Sequence, residues 1–456
     1  MKSPSSPVER TGIRFFALDL SSSTPRQEIG AGVTTFLTMA YIIVVNPATL
    51  AQAGMPADGV MVATCLAAAI GSALMGILTN YPFALAPGMG LNAFFVFSVV
   101  IGMGIAWPTA LAAVFVSGLL FLVLTLSRMR EAVVNAIPLP LKHAIGVGIG
   151  LFIALIGLKS AGLVVHHPGT GSLGLVDARY FSDDTLRALL PPGTSAASVG
   201  LTLAGLVVTA ALVVARVRGA LLLGIGGTTL LGLPLGVCAL PDALVAWPAG
   251  LGQTFMALNL SAAWSDPRLW TVVLTFAFVD LFDTAGTLVG VAGKAGLLDE
   301  DGHLPRARGA LLADSIATCA GALLGTSTTT TYVESAAGVA EGGRTGFTGL
   351  TVAGLFLLAL FFGPLVQMVP AAATAPVLVM VGAFMMEPIR HIDFTNPAHG
   401  IPAFMTIAVM PLAFSITEGI AAGILAFTFL AVLKRGERVA PALLVLSALF
   451  LGRYFW

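Results

Sequence analysis

The sequence encodes an all-α, polytopic membrane protein of roughly 14 transmembrane segments, and three observations say so. Of its 456 residues 57% are hydrophobic and only 10% charged, with a mean hydropathy of +0.96; soluble domains carry about 25% charge. Apolar stretches near the length that crosses a bilayer core follow one another almost end to end. Basic residues gather on one side of those stretches. The 22 Lys and Arg balance 22 Asp and Glu, so no net charge draws the chain to nucleic acid. Cys65, Cys238 and Cys319 are too scattered for a disulfide framework or a zinc site and are expected as small buried hydrophobes.

The expected spans are 30–51, 59–79, 84–101, 107–127, 140–160, 197–215, 219–240, 268–292, 307–324, 326–341, 346–368, 371–386, 402–415 and 418–433. Several are short for an untilted crossing. The stretch from Ala440 to Leu451 is expected to lie along the interface. With the N-terminal Lys2, Arg10, Arg14 and Arg26 in the cytoplasm, thirteen further basic residues fall inside: Arg128, Arg130, Lys142, Arg216, Arg218, Lys294, Arg306, Arg308, Arg344, Arg390, Lys434, Arg435 and Arg438. Only Lys159, Arg179, Arg187 and Arg268 fall outside. The positive-inside rule therefore favours an even count with both termini cytoplasmic. The polar first 29 residues do not resemble a cleavable leader, and 161–196 is expected as an external loop packed back on the surface.

Transporters are often built from two halves of opposite orientation. Leu37-Thr-Met-Ala-Tyr41 is similar to Leu274-Thr-Phe-Ala-Phe278, and Ser72-Ala-Leu-Met-Gly76 to Gly321-Ala-Leu-Leu-Gly325. The first match sets Asn46 opposite Asp283. Each half then carries a broken segment. Leu85-Ala-Pro-Gly-Met-Gly-Leu-Asn92 contains a proline and two glycines, which disfavour an unbroken helix. Thr326-Ser-Thr-Thr-Thr-Thr331, with Tyr332, Val333 and Glu334 after it, is a hydroxyl-rich, largely β-branched run that favours extended chain. Either break alone could be a kinked helix or a helix packed by hydroxyl back-bonding. Two breaks in matching positions favour short extended pieces meeting at the midplane, with half-helix N-termini and free N–H groups offered to a polar ligand.

Most acids fall in loops. Asp280 and Asp283 do not: spaced by three, they share one helix face inside a span, and Glu334 follows the threonine run. Charge at the bilayer centre costs about 3 kcal/mol even on the mildest scales. Desolvation and a neighbouring acid both favour the protonated carboxyl, so such a cluster should hold at least one proton near neutral pH. That is the chemistry of proton coupling, though protonated acids stitching helices together would look the same. Asp314, Glu341 and Glu418 lie nearer span ends, where solvated or capping roles are expected. Gly293-Lys294-Ala295 lacks the rest of a P-loop, and the six histidines form no HExxH. Neither an ATPase nor a metallohydrolase is supported, and no cofactor is expected.

Four stretches carry a resemblance: Phe278-Val-Asp-Leu-Phe-Asp-Thr-Ala-Gly-Thr-Leu288, Thr328-Thr-Thr-Thr-Tyr-Val-Glu-Ser-Ala-Ala-Gly-Val339, Ala86-Pro-Gly-Met-Gly-Leu-Asn-Ala93 and Pro388-Ile-Arg-His-Ile-Asp-Phe394. From about Arg26 to Lys434 the chain resembles the nucleobase:cation symporter-2 family, and more narrowly its AzgA-like hypoxanthine–guanine–adenine permeases. The resemblance implies a seven-plus-seven inverted repeat with a core domain (30–127 and 268–368) and a gate domain (128–240 and 369–433), between cytoplasmic tails at 1–29 and 434–456. It also implies purine uptake with protons, driven by their gradient, by an elevator-like movement of the core in the inner or plasma membrane, and a homodimer through the gate. Glu334, Asp283, Asp280 and Asn92 occupy the family's site positions, with either aspartate as the direct ligand. Val333 lies beside Glu334, and Tyr332, Phe94 or Phe278 could stack on a purine. Three rivals remain: an anion transporter of sulfate-permease type, a membrane-embedded aspartyl enzyme and a channel. The acids oppose an anion, and Asp280 and Asp283 are too close on one helix to face each other across a peptide bond.

Overall fold

The computed structural model describes residues 23–127, 138–167, 172–191, 194–266, 268–299 and 304–433, and six positions between 443 and 451. Lys2, Arg10, Arg14, Arg128, Arg130, Lys434, Arg435 and Arg438 lie outside the described residues. Among the described residues, nine helical stretches are long and apolar enough to cross a membrane, and three more apolar helices are shorter. This is a multi-pass membrane protein.

The first expected span is two helices, α1 (Pro25–Met39) and α2 (Ile42–Leu50), broken at Ala40 and Tyr41. It begins before residue 30 because Thr24 caps the helix, accepting from the Gln27 N–H, and Pro25 pre-sets the first turn. The tail expected to end at residue 29 therefore ends at Thr24, and Glu28 becomes a fully buried helical residue. Helix α3 (Ala57–Thr79) stops at Asn80, in the left-handed region at φ 56°. The broken segment follows as β1 (Leu85–Pro87), α4 (Met89–Ala93) and a π-helical run over Phe94–Gly102. Helix α5 (Trp107–Leu126) and α6 (Leu139–Ser160) come next.

The loop expected on the outside does pack back. A hairpin of β2 (Val164–His166) and β3 (Leu173–Leu175) lies under Tyr180, whose hydroxyl donates to the His166 carbonyl at 3.1 Å. Helices α7 (Ala196–Val214) and α8 (Ala220–Gly232) follow, the latter shorter than the expected 219–240.

The second half opens with α9 (Arg268–Ala295) and α10 (Ala307–Leu324). Gly325, at φ +100°, ends α10 with its N–H on the Gly321 carbonyl, a turn a side chain would strain. The threonine run becomes β4 (Thr329–Thr331), followed by the six-residue α11 (Ser335–Ala340). Helices α12 (Gly346–Ala359), α13 (Ala371–Phe384), α14 (Pro397–Leu412) and α15 (Ile416–Leu433) follow, and short helical turns elsewhere are left unnumbered. Beyond them Leu443 and Phe450 are buried, and the Ser447 hydroxyl bonds that of Thr428 at 2.8 Å.

Packing sorts the helices into two groups. Helices α1, α3, α5, α9, α10, α11 and α12 pack on one another, with α3, α9 and α10 against the two inner strands; α6, α7, α8, α13, α14 and α15 form the other group. Both groups rely on glycine where backbones touch. A Cβ on Gly76 of α3 would strike the Gly346 carbonyl of α12, and one on Gly150 of α6 would meet the Gly382 carbonyl of α13. Lipid tails give helices no hydrophobic reason to associate, so close approach of small residues carries that packing.

Candidate functional site at the strand crossing

The two breaks, more than 240 residues apart, meet as an antiparallel pair with Leu85 opposite Thr331, Ala86 opposite Thr330 and Pro87 opposite Thr329. The Gly88 N–H donates to the Thr328 carbonyl and the Tyr332 N–H to that of Ala84, both at 2.9 Å. Outer edges are closed by hydroxyls. Ser72 on α3 accepts from the Leu85 N–H at 2.9 Å and donates to its carbonyl at 3.1 Å. Thr318 on α10 treats Thr329 in the same way, at 3.3 and 3.0 Å.

Free backbone donors were expected here, and the strands and α11 depart from that. Pairing and the two hydroxyls use the inner N–H groups just named, and the first turn of α11 folds back on Tyr332, Val333 and Glu334. An unpaired buried N–H is costly, so the chain satisfies these groups itself. At the strands and α11 the crossing offers side chains.

Glu334 stands immediately before α11, its Oε1 accepting from the Tyr41 hydroxyl at 2.9 Å. Tyr41 reaches it from the corner between α1 and α2. Tyr332, buried beside them, donates its hydroxyl to the Pro87 carbonyl at 2.5 Å and so ties the second break to the first. Asp283 approaches from α9, hydrogen-bonded to Thr330, and interacts electrostatically with Glu334, Tyr41 and Tyr332. Gly88 makes room for Thr330, the partner of Asp283: a Cβ there would lie 2.9 Å from the Thr330 hydroxyl, while Asp283 Oδ2 at 3.7 Å would be in ordinary contact. Two carboxylates, two phenols and a strand crossing form one polar centre inside an apolar chain.

The other sequence-predicted residues are placed differently. Asp280 is fully buried on α9, one turn before Asp283. Asn92 is fully buried in a second polar knot, donating to Asn46 Oδ1 at 2.6 Å and accepting from Ser327, while Asn46 donates to Thr64 and Thr326 at 2.7 and 2.8 Å. Phe94 is 1% exposed and stands edge-on to Phe276, with ring centroids 4.8 Å apart, as core packing requires. Phe278 is half-buried. Val333, beside Glu334, is 54% exposed.

Sequence reasoning missed three residues. Tyr41 was visible only as the repeat partner of Phe278. Asp314, expected near a solvated span end, is fully buried and accepts from Thr284 on α9 at 2.9 Å. A helix neighbour, invisible in one dimension, covers it. Glu28 accepts from the Arg344 and Thr345 N–H groups, at 3.0 and 3.3 Å, and from the Thr348 hydroxyl. It caps the start of α12 across the fold. By contrast Glu341 meets its expectation, pairing with Arg218 near the surface.

Comparison with known proteins agrees with this architecture. Residues 26–422 match the model of the permease family Xan_ur_permease, the nucleobase:cation symporter-2 family. The chain is 42% identical to the guanine/hypoxanthine permease PbuO of Bacillus subtilis over 449 residues, covering 97% of this chain and 100% of that one. It is 40% identical to the adenine permease AdeP of Escherichia coli over 440 residues, covering 96% and 94%. In fold it is similar to the transmembrane domain of the cyanobacterial bicarbonate transporter BicA, with a TM-score of 0.64 at 14% identity over 87% of this chain and 97% of that one. The match over nearly the whole chain makes this protein a member of the nucleobase:cation symporter-2 permease family.

Proposed function

We propose that this chain imports purine nucleobases together with protons. The observation that carries the proposal is the convergence of Asp283 and Glu334, with Tyr41 and Tyr332, on the crossing of β1 and β4. A neutral purine presents ring N–H donors, which a carboxylate accepts strongly. Glu334 takes that role, Asp283 lies beside it, and Asp280 serves as a further proton site one turn away. Phe278 and Val333 form the apolar rim against the base, Phe94 packs behind it, and Asn92 holds the half-helix α4 in place. Names of relatives favour guanine, hypoxanthine and adenine as substrates.

The strand-bearing group of helices acts as the core, 30–127 with 268–368, and the other as the gate, 128–240 with 369–433. The core moves elevator-like past the gate, fourteen segments form a seven-plus-seven inverted repeat, and both termini face the cytoplasm of a cell whose inner or plasma membrane holds a dimer joined through the gates. Support comes from the two packing groups and from Ser72 and Thr318, which serve corresponding strands in the two halves.

Fold likeness to a bicarbonate transporter raises an anion as the alternative cargo, but two carboxylates at the crossing would repel one. The test is uptake of labelled hypoxanthine, guanine, adenine, uracil, sulfate and bicarbonate in cells without their own permeases. Purine uptake that Glu334→Gln abolishes and a protonophore collapses is the expected result. Uptake of anions but no purine, or purine uptake indifferent to Glu334→Gln, would overturn it.

A further inference from the structure

Among the described residues Tyr41 is the one phenol that donates to an acid of the site, and its place is unusual. It lies at Ala40–Tyr41, where α1 and α2 part, and its own carbonyl accepts from Val44 and Val45 to start α2. The side chain is 2% exposed. From that corner the hydroxyl spans the gap to Glu334 Oε1 at 2.9 Å. In the corresponding span of the second half the sequence match puts Phe278, which has no hydroxyl, and Asp283 takes its hydrogen bond from Thr330 instead.

We propose that Tyr41 is a positioning residue for transport, holding one oxygen of Glu334 so that the other faces the substrate and setting the pH at which Glu334 takes its proton. The proposal rests on Glu334 being the binding carboxylate. A phenol has one proton to give. With it directed at Oε1, the ionised carboxylate is favoured and its plane fixed. The groups facing Glu334 are Tyr41 from the helix corner, Tyr332 from the end of β4, and Asp283 from α9 with Asp280 a turn behind. Tyr332 gives its hydroxyl to Pro87 and is itself hydrogen-bonded by Tyr41, so Tyr41 is the side chain that donates to the acid, beside Glu334's own backbone N–H.

The sign follows from removing a donor to the charged form. In Tyr41→Phe the protonated acid gains, so the limb on which uptake falls with rising pH moves to higher pH, by about one unit for a charged hydrogen bond. The KM for guanine or adenine rises several-fold as the freed carboxylate turns. Replacing Tyr41 by 3-fluorotyrosine, a stronger donor on the same frame, moves the limb the other way and tests the proposal even if Tyr41→Phe does not reach the membrane. A limb that stays put in both proteins, or shifts the same way in both, would overturn it. Purine uptake surviving Glu334→Gln sinks the site reading instead, and that outcome is separately visible.

Discussion

Ser72 and Thr318 perform one task on opposite edges of a two-stranded ribbon. Each bonds both the N–H and the carbonyl of one strand residue, Leu85 for Ser72 and Thr329 for Thr318. Both hydroxyls are fully buried. A buried strand edge has no water to satisfy it, and here one hydroxyl on each neighbouring helix replaces the missing strand.

Removing either hydroxyl should leave two buried backbone groups unmet. Ser72→Ala and Thr318→Val are each expected to destabilise by about 1–3 kcal/mol, while Thr318→Ser stays close to wild type. Thermal unfolding of the purified protein in detergent measures this. Equal melting of Thr318→Val and wild type would show the hydroxyl is not needed.

Glu28 acts at a distance of more than 300 residues along the chain. Its carboxylate holds the N–H groups of Arg344 and Thr345 and the Thr348 hydroxyl. Glu28→Ala should cost about 1–3 kcal/mol through these lost charged bonds, with Glu28→Gln milder. Hydrogen exchange at the start of α12 should rise in the alanine variant and reports the loss directly.

Gly76 faces Gly346, and Gly150 faces Gly382, with backbone against backbone. Gly346→Ala and Gly382→Ala should each cost about 1–3 kcal/mol by overpacking. The first loosens the strand-bearing helices and the second their partner group. Melting curves give the cost, and unaltered curves would mean the helices part without penalty.

Arg218 and Glu341 link the two helix groups by an ion pair whose side chains are 64% and 35% exposed. Such a pair contributes about 0–1 kcal/mol to stability, so Arg218→Ala should barely change melting. Its effect belongs in transport rate if the groups move past one another. Initial uptake rates should change in Arg218→Ala and Glu341→Ala and recover in the charge-swapped double variant Arg218→Glu/Glu341→Arg.

Much of this was legible in the chain. Hydropathy runs and basic residues establish a multi-pass membrane protein, because both follow from transfer free energies that depend on local composition. The two breaks were legible for an equally local reason: Pro87 and its glycines, and the hydroxyl run from Thr326, are poor helix formers wherever they sit. Asp283 and Glu334 stood out because charge in an apolar run needs an explanation.

Pairing was not legible. That Leu85 lies opposite Thr331, that Tyr41 reaches Glu334, and that Asn92 turns toward Asn46 and Ser327 depend on how helices hundreds of residues apart pack. The same holds for Glu28 and Asp314, whose burial comes from neighbours rather than from their own flanks. Sequence by itself determined the solvent, the breaks and the costly acids. Tertiary structure alone decided which groups satisfy one another, because a buried hydrogen bond needs two partners at about 3 Å and one-dimensional spacing specifies only one.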